Sequence, residues 1–229
     1  MREIILDTET TGLDPSSNRV VEIGCIELMN HVATGREFHA YINPERDMPA
    51  EAEAVHGLSS EFLSTKPLFA AIVDDFLAFL GEAPVVAHNA GFDMGFINAE
   101  LRRVDRAPLA ANRAIDTVLL ARRKFPGAQA SLDALCRRFQ IDTSARTKHG
   151  ALLDAQLLAQ VYLELIGGRE PGLALAVSET IMVSATPVER TARPARPHAP
   201  TPEELAAHQA FVATIKNALW SRTDETKPS

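Results

Sequence analysis

Cysteine is nearly missing from this chain of 229 residues: there are two, Cys25 and Cys136, each within an apolar segment and neither in a Cys-x-x-Cys pair. That excludes a disulfide framework and a thiolate zinc site, and marks both as reduced core residues. Basic charge is also short. With 23 Lys and Arg against 30 Asp and Glu, the formal charge of -7 excludes a protein that grips duplex DNA by broad phosphate neutralisation. It leaves room for an enzyme that holds one strand end through metal ions and is carried there by a partner, because several acids then serve as ligands. Long apolar runs are absent too, each being cut by charge or proline before the ~20 residues a membrane-crossing helix needs. Met1-Arg2-Glu3 leads directly into Ile4-Ile5-Leu6 without the layout of a signal peptide, so a soluble cytoplasmic protein with no membrane attachment is expected.

What is present is enough apolar material, 46% of residues, for one ordinary core and a short appendage. Residues Glu3 to Asp7, Arg19 to Met29 and Gly35 to Ile42 are short and rich in Ile, Val and aromatics, with turn formers between them. They predict a three-stranded antiparallel meander. The pattern then changes to helical spacing over Pro67 to Leu80, a buried strand at Val85-Val86-Ala87, and a helix through Phe92, Phe96, Ile97 and Leu101. A short strand near Ala114-Ile115, helices over Thr117 to Lys124 and Ser131 to Phe139, and a strong helix from about Leu152 to Ile166 complete an α/β domain closing near Gly168. From residue 169 to 200 periodicity stops, and Pro187, Pro194, Pro197 and Pro200 among Ala, Arg and Thr predict an extended linker. Thr201-Pro202-Glu203-Glu204 then supplies an N-cap, a proline at the first helical position and a capping-box glutamate for a helix over 201–221, with Leu205, Val212, Ile215 and Leu219 on one face. A lone helix of this length is marginal in water, so that face is expected to meet a partner.

Three short stretches carry chemistry. Asp7 and Glu9 are two apart on the first strand, so both carboxylates leave the same face, where their repulsion asks for a hard divalent cation. On its own, an Asp-x-Glu is ordinarily a strand end with two solvated acids. Asp93 falls in the first turn of the helix after Ala87-His88-Asn89, where an acid also simply complements the helix dipole. Asp154 borders the apolar surface of Leu153, Leu157, Leu158 and Val161, a costly place for a carboxylate unless it is paired or metal-bound. His149 lies ahead of that helix on a segment containing Gly150, and an imidazole is the side chain suited to taking a proton from water. A single histidine there is more often a satisfied surface residue; the combination is what changes the reading.

Taken together, Leu6-Asp7-Thr8-Glu9-Thr10-Thr11-Gly12, His88-Asn89-Ala90-Gly91-Phe92-Asp93 and His149-Gly150-Ala151-Leu152-Leu153-Asp154-Ala155 resemble, in order and spacing, the three motifs of the DEDDh 3′–5′ exonucleases. Within them the likeness is to the epsilon proofreading subunits of bacterial DNA polymerase III. It covers most of residues 1–168 and includes Val55-His56-Gly57-Leu58. The resemblance implies a ribonuclease H-like fold, a mixed sheet in which the antiparallel meander is followed by parallel strands, flanked by helices. It makes Asp7, Glu9, Asp93 and Asp154 the holders of two divalent cations, Mg²⁺ or Mn²⁺, with Asp93 acting directly or through water, and His149 the general base. It places Asp7, Thr8, Glu9, Thr10, Glu51, His56, His88, Phe92 and Asp154 around the terminal sugar and base of a single-stranded 3′ end of DNA. Glu51 in Ala50-Glu51-Ala52-Glu53 reads equally as a solvated helix turn.

Arg146 and Lys148 flank the histidine and are candidates for phosphate contact, whereas Arg102-Arg103, Arg122-Arg123-Lys124 and Arg137-Arg138 read as solvated helix faces. By the same resemblance the tail binds the polymerase alpha subunit, with Trp220 as an interface anchor. A sliding-clamp peptide would fall at residues 169–175, where Glu170 stands in place of the more typical glutamine. Two rivals remain: a free-standing exonuclease that trims RNA or small oligonucleotides, which has no need of the tail, and a silent structural subunit, which has no need of five active-site residues.

Overall fold

A computed structural model describes residues 1–144, 146, 148–167 and 199–216. The chain divides into two compact units, Met1–Ala174 and Leu175–Ser229. In the first, strands β1 (Arg2–Thr10), β2 (Val20–Met29) and β3 (Val32–Tyr41) form the expected meander. The β2–β3 turn is two residues long, and both Asn30 and His31 take positive φ, the condition for a type I′ hairpin whose twist matches its strands. β4 (Val85–Ala87) pairs parallel to β1, and β5 (Ala114–Asp116) pairs parallel to β4, giving the order β3-β2-β1-β4-β5. The mixed sheet read from the sequence is therefore the one observed.

Alternation along β1 divides the interior. Ile4 and Leu6 face α3 (Phe69–Leu80) and α4 (Ala90–Arg103), in a core with Val73, Phe76, Phe96 and Ile97. Ile5 faces the other way, toward α5 (Thr117–Lys124), α6 (Leu132–Phe139) and α7 (Ala151–Leu165), with Leu135, Leu158 and Val161. Asp7 and Glu9 continue the Ile5 face by the period-two rule. Two short helices are not delimited by the sequence: α1 (Ala50–His56), for which a helix turn at Ala50-Glu51-Ala52-Glu53 is one of two readings, and α2 (Ser60–Ser64). At five and seven residues they are too short for hydrophobic periodicity to register, and local caps define them instead: Ser59 accepts from Phe62 N, and Gly57 closes α1 at φ 79°. Cys25 and Cys136 are free and buried, as expected.

The basic clusters do more than face solvent. Arg103 pairs with the fully buried Glu100 at 3.0 Å and donates to the carbonyls of Pro15 and Asn18, fastening the β1–β2 loop to α4. Lys124 donates to the last carbonyls of α7, at Glu164 and Leu165, groups that a helix end leaves free. The reading of those two residues as solvated is thus corrected: sequence gives no sign of where the carbonyls of another element will lie. Arg138 lies over the ring of Phe125, 4.5 Å from its centroid.

In the second unit α8 (Pro202–Thr214) opens with the full capping box, Thr201 accepting from Glu204 N and Glu204 reaching back to Thr201 N. It ends at Thr214, so Ile215 lies past its last turn rather than on its face, and Leu205 and Phe211 are exposed. Leu219, Trp220, the 169–175 segment and nearly all of the expected linker lie outside the described residues. Among the described residues, no helix is long and apolar enough to cross a membrane.

Candidate active site

The site forms where β1 ends, because elements from both faces of the sheet converge there. Opposite Asp7 on β2 stands Gly24, and opposite Glu9 stands Glu22. A Cβ at Gly24 would come within 2.3 Å of the Ala151 carbonyl carbon and 2.4 Å of Leu152 N, so only glycine lets the first turn of α7 rest on the sheet beside Asp7. That contact delivers Asp154, on the first turn of α7, to the carboxylates of β1. Asp93 arrives from the other layer, on the first turn of α4, and its Oδ1 accepts from Thr8 Oγ1 at 2.8 Å. Thr8, facing away from Asp7 and Glu9, thereby ties the two layers together.

Three of the acids so gathered, Asp7, Glu9 and Asp93, resist ionisation. Burial, followed by repulsion from Asp93, Asp154, Glu9 and Glu22, holds the Asp7 carboxyl well above its ordinary range. Burial, with Asp154, Glu22 and Asp93, pushes Glu9 up to about 8. Burial raises Asp93 to about 7 against the opposing bond from Thr8. Such a cluster is the signature of a cation site, since hard cations choose carboxylate oxygen and remove the repulsion. Donor atoms of Glu9, His149 and Asp154 lie within 4.8 Å of one another, so the residues present fit a divalent ion. His149, expected only as a base, stands at ligand distance as well.

Glu22 went unnoticed in the sequence. It is 3% exposed, and its Oε1 lies 2.7 Å from His39 Nε2. The cross-strand partner of Glu9 can be found only once the register of β1 and β2 is known. Arg146, a candidate for phosphate contact, lies instead against Asp154, with Nε 2.6 Å from Oδ1 and Nη2 2.7 Å from Oδ2.

Beside the acids a cavity of about 360 Å³ is lined by Thr8, Glu9, Thr10, Thr11, Gly12, Leu13, Pro49, Glu51, Ala52, Val55, His56 and Phe92. Thr8, Thr10, Glu51, His56 and Phe92 thus come together as expected, and α1 forms one wall. Glu51 is exposed on the first turn of α1 while lining the cavity. His56 is 7% exposed and kept neutral by burial; its Nδ1 accepts from Leu58 N, and Nε2 faces the Thr10 backbone without a well-formed hydrogen bond. The Phe92 ring packs on Phe96 at 4.8 Å. His88 stands apart from this group. Its Nδ1 lies 2.9 Å from Thr117 Oγ1, and it lines a separate groove of about 540 Å³ with Asp116, Arg122, Gln129 and Ser131. It follows directly on the end of β4, the strand next to β1.

The fold has counterparts among nucleases. The nuclease domain of 3′hExo, a DEDDh family member bound to rAMP, superposes with a TM-score of 0.63 over 73% of this chain and 92% of that one, at 17% identity. Exonuclease X in complex with 5′ overhanging duplex DNA superposes with a TM-score of 0.56 over 72% of this chain and 92% of its own, at 25% identity. The fold is ribonuclease H-like, and the exonuclease family profile (RNase_T) matches residues 4–162. The chain is therefore an exonuclease of that family. The DNA polymerase III subunit epsilon of Rickettsia felis is 51% identical over 222 residues, covering 94% of this chain and 97% of that protein. That of Escherichia coli K12 is 42% identical over 235 residues, covering 96% and 97%. Within the exonucleases, the chain belongs to the epsilon subunits of DNA polymerase III.

Proposed function

We propose that the chain removes mispaired 3′-terminal nucleotides from DNA as nucleoside 5′-monophosphates, proofreading for the replicative polymerase. The single observation that carries the chemistry is the convergence of Glu9, His149 and Asp154 donor atoms within 4.8 Å beside a cavity of nucleotide size. Asp7, Glu9, Asp93 and Asp154 would hold two divalent cations, Mg²⁺ or Mn²⁺, Asp93 directly or through water. Cations there supply charge neutralisation on the phosphodiester and a more acidic water. His149 would accept the proton of the attacking water on Nε2, while Nδ1, 3.1 Å from Asp154 Oδ2, keeps the ring oriented. Thr8, Thr10, Glu51, His56 and Phe92 receive the terminal nucleoside in the cavity; His88 meets the strand from its own groove. A cavity that admits one splayed end favours a frayed mispair, because a paired end must first be melted.

Residues 1–168 form the nuclease in this reading. Residues 169–200 are a linker, and the helix within 201–221 docks on the alpha subunit in the cytoplasm. The exposed Leu205 and Phe211 of α8 support that docking. The segment at 169–175 is the candidate for the sliding clamp.

The test is to incubate the full chain, and an Asp7→Ala variant, with 3′-mismatched and matched primer-templates and an RNA oligonucleotide, in Mg²⁺, Mn²⁺ or chelator. Metal-dependent monophosphate release, fastest from the mismatch and lost in the variant, is the expected result. Faster release from RNA would overturn it in favour of a trimming nuclease.

A further inference from the structure

The side chain of Arg146 is 9% exposed and touches two groups of the site, Asp154 and His149. It bridges both oxygens of Asp154, at 2.6 and 2.7 Å, and Nη2 lies 2.8 Å from His149 Nδ1. From the opposite side Asp133, on α6, pairs with Nη1. The backbone assists, since Arg146 N donates to Thr143 O at 2.9 Å, and Ser144 N to the Asp142 carboxylate at 2.9 Å. A planar donor gripped this way is a built feature rather than a wandering surface charge, and it carries a permanent positive charge among four carboxylates.

An ionised carboxylate offers about four lone-pair sites, and a side-on guanidinium uses one on each oxygen. Asp154 can therefore serve the arginine and a divalent cation together, but at a cost, because two positive charges then face each other across one carboxylate in a poorly hydrated place. Orientation works the other way: by fixing the Asp154 plane, Arg146 spares a cation the work of ordering it. Losing one immobilised side chain costs far less than charge repulsion over a few ångströms, so the repulsive effect wins.

Resting on the cation-binding reading of the site, we infer that Arg146 is an internal counter-cation: it balances the carboxylate cluster and lowers its affinity for divalent ions. The site is held folded and charge-compensated, and cations bind it less tightly than four acids alone would hold them.

The test is calorimetric titration of the full chain with Mn²⁺ alone, for wild type and for Arg146→Met, Arg146→Gln and Arg146→Lys, with folding checked by circular dichroism. The two neutral variants should bind Mn²⁺ on the order of tenfold more tightly, while Arg146→Lys, which keeps the charge, stays within about threefold of wild type. A purely structural arginine would give equal or weaker binding in the folded neutral variants, and that result overturns the inference. So does a lysine variant that binds as tightly as the neutral ones. Absence of Mn²⁺ uptake by wild type would instead overturn the cation reading of the site itself.

Discussion

In chelator, raising the pH from about 5 to about 8 should progressively destabilise this protein, and a divalent cation should abolish the effect. Glu9 is pushed up from an ordinary 4.5 to about 8, first by burial and then by its acidic neighbours. In the unfolded chain it ionises near 4.5; in the folded chain it holds its proton until about 8. Across that window the folded state binds more protons, so the stability present at low pH is lost as pH rises. At about 1.4 kcal/mol per pH unit, the full effect approaches about 5 kcal/mol. Asp7 and Asp93 shift in the same direction. His56 and His88, kept neutral by burial, act in the opposite sense but only below about 6.5, where the unfolded chain still protonates them. The diagnostic window is therefore about pH 6.5 to 8. There Glu9 alone accounts for about 2 kcal/mol, or a fall of roughly 4–8 °C in Tm for a chain of this size. Thermal melts in EDTA and in saturating Mn²⁺ measure it, with the cation's stabilisation growing as pH rises. A metal-free Tm that stays level or climbs across that window would refute the electrostatic reasoning.

Gly24→Ala should cost about 3 kcal/mol in urea unfolding and reduce nuclease activity by more than about tenfold, because the added Cβ must lift the start of α7 and carry Asp154 away from Asp7. Thr8→Val, close in shape, removes the donor to Asp93 and should destabilise by about 2 kcal/mol, whereas Thr8→Ser should retain most of that stability. Tyr162→Phe deletes the 2.7 Å bond to the wholly buried Glu3 and should cost about 1–3 kcal/mol by chemical denaturation with activity unchanged, since that pair lies at the opposite end of β1.

The elements that sequence revealed are those whose pattern is local. The Ile- and Val-rich runs of β1 and β2, the Val85–Ala87 run and the capping signal at Thr201 each specify themselves within a few residues. The acids were legible as types, because Asp7 and Glu9 share a strand face by period alone. What escaped was whatever depends on register or on a partner far along the chain. Glu22 joins the site only because β2 runs antiparallel in one register, and Arg146 was visible as a charge beside His149 but not as a grip on Asp154. α1 and α2 are one or two turns long, below the length at which periodicity speaks.

His149 N donates to Val55 O across 3.4 Å, joining the segment that carries the imidazole to the last turn of α1. Val55 and His56 on that turn also line the cavity. A nucleotide seated too deep, or a bulky base forcing α1 outward, would thus strain the very hydrogen bond that sets the height of the imidazole. If His149 accepts the proton as proposed, the cavity wall and the proton acceptor form one lever, and an ill-fitting end would show itself in slower turnover before it showed itself in weaker binding.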